Sequence, residues 1–231
     1  MADDRFPPEG ARLFVILGAY GSGKTEFAVN LALKLAEGGK RTALADLDIV
    51  NPYFRSREKI RLLNDHGVQL IAPSGEMASA DLPAVPAGVF TLIQDQGLYG
   101  VMDIGGDASG ARVLAAFAKD LVSASPAVWY VLNHSRYDNA DADKARQSIR
   151  GVETSSGLKV TGLISNTPLI ALTSADTLRE GAAFAGEVSA LCGIPVACHA
   201  VRQSLAEEMP DVSPVFPMKL TLRRPWEDES D

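Results

Sequence analysis

The sequence predicts an α/β fold in which a mostly parallel sheet carries helices on both faces, a three-layer architecture. Three observations predict it. Short apolar runs rich in strand formers alternate with stretches of helical period along most of the chain. Between the first such strand and the first such helix lies Gly18-Ala19-Tyr20-Gly21-Ser22-Gly23-Lys24-Thr25, which satisfies G-x-x-x-x-G-K-[ST] at every fixed position. Polar residues then recur at the ends of later strands, Asp48, Asp103 and Asn166 among them. A doubly wound sheet collects its ligand along that edge.

The elements follow in order. Leu13 to Leu17 reads as a strand, and Glu26 to Glu37 as a helix with Phe27, Leu31 and Leu35 on one face and Gly38-Gly39 ending it. Arg41 to Ala45 is a second strand, running into Asp46-Leu47-Asp48. A loop carrying Pro52, Arg55 and Arg57 leads to a helix over Ser56 to His66, closed by Gly67. Val68 to Ala72 is a third strand. Residues 73–88, with Pro73, Pro83 and Pro86, read as a long irregular connection, a feature that is often functional. A short helix at Leu92 to Gln94 precedes the strand Tyr99 to Met102, which ends at Asp103. Gly105-Gly106 and Gly110 open the next turn before a helix over Ala111 to Ser123. Ala127 to Leu132 is continuously apolar, as suits a strand covered on both faces. A helix (Asp141 to Val152), a strand (Val160 to Ile164), a helix (Ser174 to Leu191) and a strand (Ile194 to Cys198) complete the pattern. The expected organisation is a flexible leader over residues 1–11, one domain over 12–210 and an irregular acidic tail over 211–231, where Pro214, Pro217 and Pro225 interrupt regular structure.

Composition bounds the function. The chain has 231 residues, a size for one compact α/β domain, and 46% of them are hydrophobic. A net charge of −7 and a pI near 5.0 give no support to general nucleic-acid binding. No apolar run is long enough for a transmembrane helix, and the start lacks a secretory layout, so a cytoplasmic protein is expected. Cys192 and Cys198 cannot build a disulfide framework and are expected to act as small hydrophobes.

The glycine-rich loop carries the chemistry. A strand, a glycine turn and a helix in that order aim backbone N–H groups and the positive helix end at one point, where polyphosphate is stabilised. Gly18, Gly21, Ser22, Gly23, Lys24, Thr25 and Glu26 are the candidate phosphate-binding residues. Lys24 reaches the β- and γ-phosphates, and the Thr25 hydroxyl binds Mg²⁺. Asp103 is the candidate to hold Mg²⁺ through water, and Gly106 to give its N–H to a γ-phosphate. Asp48 is the candidate to place the attacking water or complete the metal shell, with Asp46 as its neighbour on the same strand face.

The phosphate loop, Asp46 to Pro52 (D-x-D-x-x-x-P), Asp103-Ile104-Gly105-Gly106 and Asn166 after its strand together resemble the MinD/ParA/CobQ-type P-loop nucleotide-binding proteins. That resemblance implies a P-loop NTPase-like fold, bound ATP and Mg²⁺, and contact between Asn166 and the purine. Asn133 is followed by His134-Ser135-Arg136, so the guanine signature N-K-x-D is missing and ATP is preferred. Ala19 stands where dimerising members carry a second lysine, which argues against an ATP-sandwich dimer. The expected function is a slow ATPase that acts as a nucleotide-dependent switch on a protein partner. The alternatives are an ATP-dependent kinase or ligase resembling dethiobiotin synthetase, a metallochaperone-type GTPase, and a nucleotide sensor with little turnover.

Overall fold

β1 (Leu13–Gly18) is fully buried and forms the axis of the molecule. The computed structural model describes residues 7–8, 10–48, 60–72, 86, 88–166, 173–209 and 211–221. β1 lies between β4 (Tyr99–Ile104) and β5 (Ala127–Leu132), each paired to it in parallel. Outside β4 lie β2 (Thr42–Leu47) and β3 (Val68–Ile71). Outside β5 lie β6 (Gly162–Asn166), β7 (Val196–Arg202) and β8 (Val215–Met218). The order is β3-β2-β4-β1-β5-β6-β7-β8, and every pairing is parallel.

Strand pleating divides most of the buried hydrophobic residues between two large cores, and a small third cluster gathers Leu178, Val201 and Met209. Phe14 and Ile16 face one side with Phe27 and Leu31 of α1 (Lys24–Glu37) and Leu63 of α2 (Ile60–Asp65). Leu13, Val15 and Leu17 face the other, where α3 (Gly88–Gln94), α6 (Ala142–Ser156) and α7 (Ala175–Cys192) supply Leu92, Ile149 and Val188. Full burial of such a side chain contributes about 1.5–3 kcal/mol, so β1, buried throughout, is firmly held backbone on which to carry a site.

Two elements depart from the expected pattern. The helix expected over Ala111 to Ser123 begins earlier and breaks into α4 (Ala108–Ala111), a 3₁₀ segment Arg112–Phe117 and α5 (Ala118–Ser123). The Asp107 carboxylate accepts from Gly110 N at 2.6 Å and so caps α4. Leu114 and Phe117 are both buried, and a spacing of three places them on one face of a 3₁₀ turn. The second departure is β8, which lies in the stretch expected to be an irregular tail. Pro217 lacks a donor, yet β8 is an edge strand, where that loss is tolerated. Phe216 of β8 meets Phe27 of α1 at 5.3 Å between ring centroids, and Phe27 in turn contacts Trp129 at 6.1 Å. Most of the leader, the loop after Asp48 with Arg55 and Arg57, and nearly all of the connection over 73–88 lie outside the described residues.

Cys198 is in the core as expected, and both cysteines are free thiols. Gly100 in β4 lies under Leu92, and a Cβ there would fall 1.8 Å from Leu92 Cδ2 and 2.8 Å from Leu13 Cδ2. Gly100→Ala should lower the unfolding free energy by about 1–3 kcal/mol, through overpacking of the α3–sheet interface. Urea denaturation reads this as a lower midpoint; an unchanged midpoint would mean that α3 lifts away at no cost.

Candidate nucleotide-binding site

The carboxyl ends of five neighbouring strands converge on the phosphate loop. β1 ends at Gly18, and α1 begins at Lys24, with Gly23 as its N-cap in the left-handed region at φ 91°. No side chain caps this helix. Its first N–H groups therefore remain directed at whatever lies in the loop. A Cβ on Gly23 would sit 2.2 Å from Asn166 Nδ2, so glycine is required for conformation and for space.

The loop carbonyls are held from outside. Ser22 O accepts from Asn166 Nδ2 at 2.7 Å, and Gly21 O accepts from Arg136 Nε at 2.8 Å. Ala19 O accepts from Ser22 N at 3.1 Å and lies 3.4 Å from the donating Nζ of Lys24. Lys24 is itself buried, so its ammonium curls back over the loop instead of extending into solvent. Ser22 is buried, and its Oγ has no hydrogen-bond partner.

The acidic residues approach from the other flank. Asp103 is in β4 directly beside Asp46 in β2, and both are buried. Asp46 Oδ1 accepts from the backbone N–H of Asp48 at 3.3 Å, which turns the chain end of β2 toward the site. Asp48 Oδ1 lies 3.3 Å from where a Cβ on Gly105 would stand. Gly106 approaches the loop so closely that a Cβ would fall 2.8 Å from Tyr20 N and 3.0 Å from Lys24 Nζ. Neither oxygen of Asp103 meets a donor in good geometry. Burial pushes its carboxyl up to about 7, and Asp46 and Asp48 add to the rise, against the pull of the Lys24 ammonium and the Thr25 hydroxyl.

The sequence-derived candidates are thus brought together at one edge, with two qualifications of role. The Glu26 carboxylate faces the C-terminal segment, where Oε1 accepts from the Thr221 N–H and, at 2.7 Å, from the Thr221 hydroxyl. What Glu26 offers a phosphate is its place in the first turn of α1, not its side chain. Asn166 spends one amide N–H on Ser22 O, which leaves the buried Oδ1 as its group without a partner. Sequence reasoning missed Arg136 as a member of the site, having met it only in the residues that displace N-K-x-D. Its place just after an apolar central strand was the available signal. Asn30, whose side chain bonds both N and O of Lys219 at 2.9 Å, carried no signal, because its partner is 189 residues away.

In the ligand-free protein the folded state keeps the Asp103 proton up to about pH 7. The unfolded chain loses it near an ordinary aspartate value of about 4. Between those values the folded state binds more protons, so this group's contribution to stability falls as pH rises, and the loss is complete above about pH 7. Asp103→Asn removes that titration. Its stability relative to wild type should therefore rise between pH 4.5 and pH 8, as measured by denaturation of both proteins. A difference that stays flat with pH would mean that Asp103 ionises freely in the fold.

Comparison with known proteins agrees with this arrangement. A model of the CobQ/CobB/MinD/ParA nucleotide binding domain matches residues 13–178. Solved structures with a similar fold include FtsY from Mycoplasma mycoides, at 18% identity and a TM-score of 0.55, with 81% of this chain and 59% of that chain covered. The signal recognition particle 54 kDa protein from Aeropyrum pernix, solved with GDP, gives 19% identity, a TM-score of 0.55, and coverage of 85% and 43%. Chloroplast FtsY from Physcomitrella patens gives 21%, 0.55, 80% and 57%. The present chain therefore spans about half of the length of those proteins, and the likeness is one of fold. No curated protein matches the sequence. Through the domain that fills most of its length, the chain belongs to the CobQ/CobB/MinD/ParA nucleotide-binding family.

Proposed function

We propose that the protein binds Mg-ATP and hydrolyses it slowly, as a nucleotide-dependent switch toward a protein partner. The observation that carries this reading is the buried Asp103 carboxylate, which lies beside the Lys24 ammonium and the Thr25 hydroxyl with neither oxygen in a hydrogen bond of good geometry. Such a group is costly unless a ligand completes it. A hard cation with oxygen ligands fits the chemistry of these donors. Among the described residues no cluster of three or more His, Cys, Asp or Glu could hold a metal alone. That suits Mg²⁺, which is usually held by one or two side chains together with substrate phosphates and water. Thr25 and Asp103 would hold it, with Asp48 completing the shell, and when bound it would neutralise charge on the phosphates. Loop N–H groups and Lys24 orient the triphosphate, Gly106 gives its N–H at the γ end, and Asp48 orients water.

ATP is favoured over GTP by the orphaned Asn166 Oδ1. An amide pairs with adenine through its N6 donor and N7 acceptor, whereas guanine offers only acceptors, O6 and N7, on that edge. The GDP bound to the Aeropyrum pernix protein keeps a GTP-hydrolysing reading as the second possibility. The kinase or ligase reading would put its acceptor in residues 73–88, almost all outside the described residues. No helix among the described residues is long and apolar enough to cross a membrane, and the switch reading needs none.

Two variants test the proposal. Lys24→Ala should lose Mg-ATP affinity sharply in calorimetry while its circular dichroism stays that of wild type. Undiminished binding would remove the phosphate site from the loop. Asp48→Asn should bind Mg-ATP within about tenfold of wild type, roughly 1.4 kcal/mol, and show a much larger fall in single-turnover hydrolysis. Hydrolysis at the wild-type rate would take the water-orienting role from Asp48. Phosphate release without any added acceptor separates the ATPase from the kinase, and ATP compared with GTP settles the base.

A further inference from the structure

The turn after β5 sets one side chain against the phosphate loop. Asn133 organises that turn: its Oδ1 accepts from Ser135 N at 3.0 Å, and its carbonyl accepts from Arg136 N at 3.0 Å. The Arg136 carbonyl accepts in turn from Asn139 N at 2.9 Å. The backbone of Arg136 is thereby fixed on both sides. Its Nε then donates to Gly21 O, and Cζ lies 3.0 Å and Nη2 3.2 Å from where a Cβ on Gly21 would stand. Gly21 has φ +69°, so glycine both allows the loop conformation and admits the guanidinium. Arg136 is nevertheless exposed, which leaves guanidinium surface facing outward beside the loop.

The two flanks of the loop differ in chemistry. At residues 19 and 20 stand the Lys24 ammonium and Gly106, a cation and a closely approaching backbone, which suit polyphosphate. At residues 21 and 22 stand Arg136, from the turn after β5, and Asn166, from the end of the adjacent β6, each gripping one loop carbonyl. Arg136 contributes a planar cation there, and Asn166 contributes a buried acceptor without a partner. A flat ring with a donor on its edge suits that pair.

We propose that Arg136 is a nucleoside-binding residue, whose guanidinium plane, pinned to Gly21, stacks on the purine that Asn166 reads. This rests on the ATP-site reading above. A guanidinium stacks on aromatic faces because it is planar and weakly hydrated, whereas an ammonium keeps the charge and loses the plane. Arg136→Lys is therefore the informative variant, since it retains a cation and a donor for Gly21 O. Arg136→Ala accompanies it. Equilibrium binding of Mg-ATP and of inorganic triphosphate is measured on wild type and both variants, with circular dichroism as the folding control. Both variants should lose about tenfold on ATP, and Arg136→Lys less than about twofold on triphosphate. Equal losses of Arg136→Lys on both ligands would overturn the proposal in favour of a phosphate contact or a loop brace. Unaltered ATP binding by the variants would overturn it alone, with the ATP site intact. A wild-type protein that bound neither ligand would overturn the ATP reading and this one with it.

Discussion

The site depends on the direction of a few peptide carbonyls. A loop that receives an anion has to turn its N–H groups inward, and each carbonyl turned outward then needs a donor of its own. Here Asn166 supplies one for Ser22 O, Arg136 for Gly21 O, and Ser22 N with Lys24 for Ala19 O. The donors come from the turn after β5, from the end of β6, from the loop and from the first residue of α1. A net contribution of about 1 kcal/mol per bond is modest, but leaving a buried carbonyl unmade costs more, so the set favours one loop conformation.

That arrangement holds only if α1 and β1 stay in place, and the C-terminal segment contributes to this. β8 packs Phe216 on Phe27, and the residues beyond it bond to Asn30 and Glu26 on the first two turns of α1. Glu26 follows Thr25 directly. The last described residues thus brace the helix that carries Lys24 and Thr25, the lysine and hydroxyl of the glycine-rich loop motif. A sequence position remote from the motif is, in space, its neighbour.

This explains which parts were legible in the sequence. Sheet and helices were readable because burial on both faces leaves continuous apolar runs, as in Ala127 to Leu132, and because the loop motif fixes its own flanks. Asp103 was legible as a strand end. β8 was not, because Pro217 reads as a strand breaker until it is known to lie on an edge. The broken helix over 108–123 escaped because a period of three and a period of 3.6 differ little over two turns. Arg136 and Thr221 escaped for a different reason. Their partners lie 115 and 195 residues away, and no local pattern encodes such a meeting.

The remaining asymmetry lies in how the two flanks are satisfied. On the carbonyl side each of the three named loop carbonyls, of Ala19, Gly21 and Ser22, has a donor. On the acidic side Asp103 is buried beside Asp46 with its oxygens lacking donors, and burial holds its proton to about pH 7. The protein thus keeps a rigid anion cradle next to a carboxylate that favours a cation. A ligand carrying both, a polyphosphate with its divalent metal, would relieve the second flank while filling the first. Polyphosphate alone would fill the cradle and add negative charge beside Asp103; the metal alone would lack the phosphate oxygens that complete its shell. In the proposed Mg-ATP site, coupling between metal and nucleotide would follow from where the Asp103 carboxyl is buried, beside the Gly105-Gly106 segment that approaches both Asp48 and the loop.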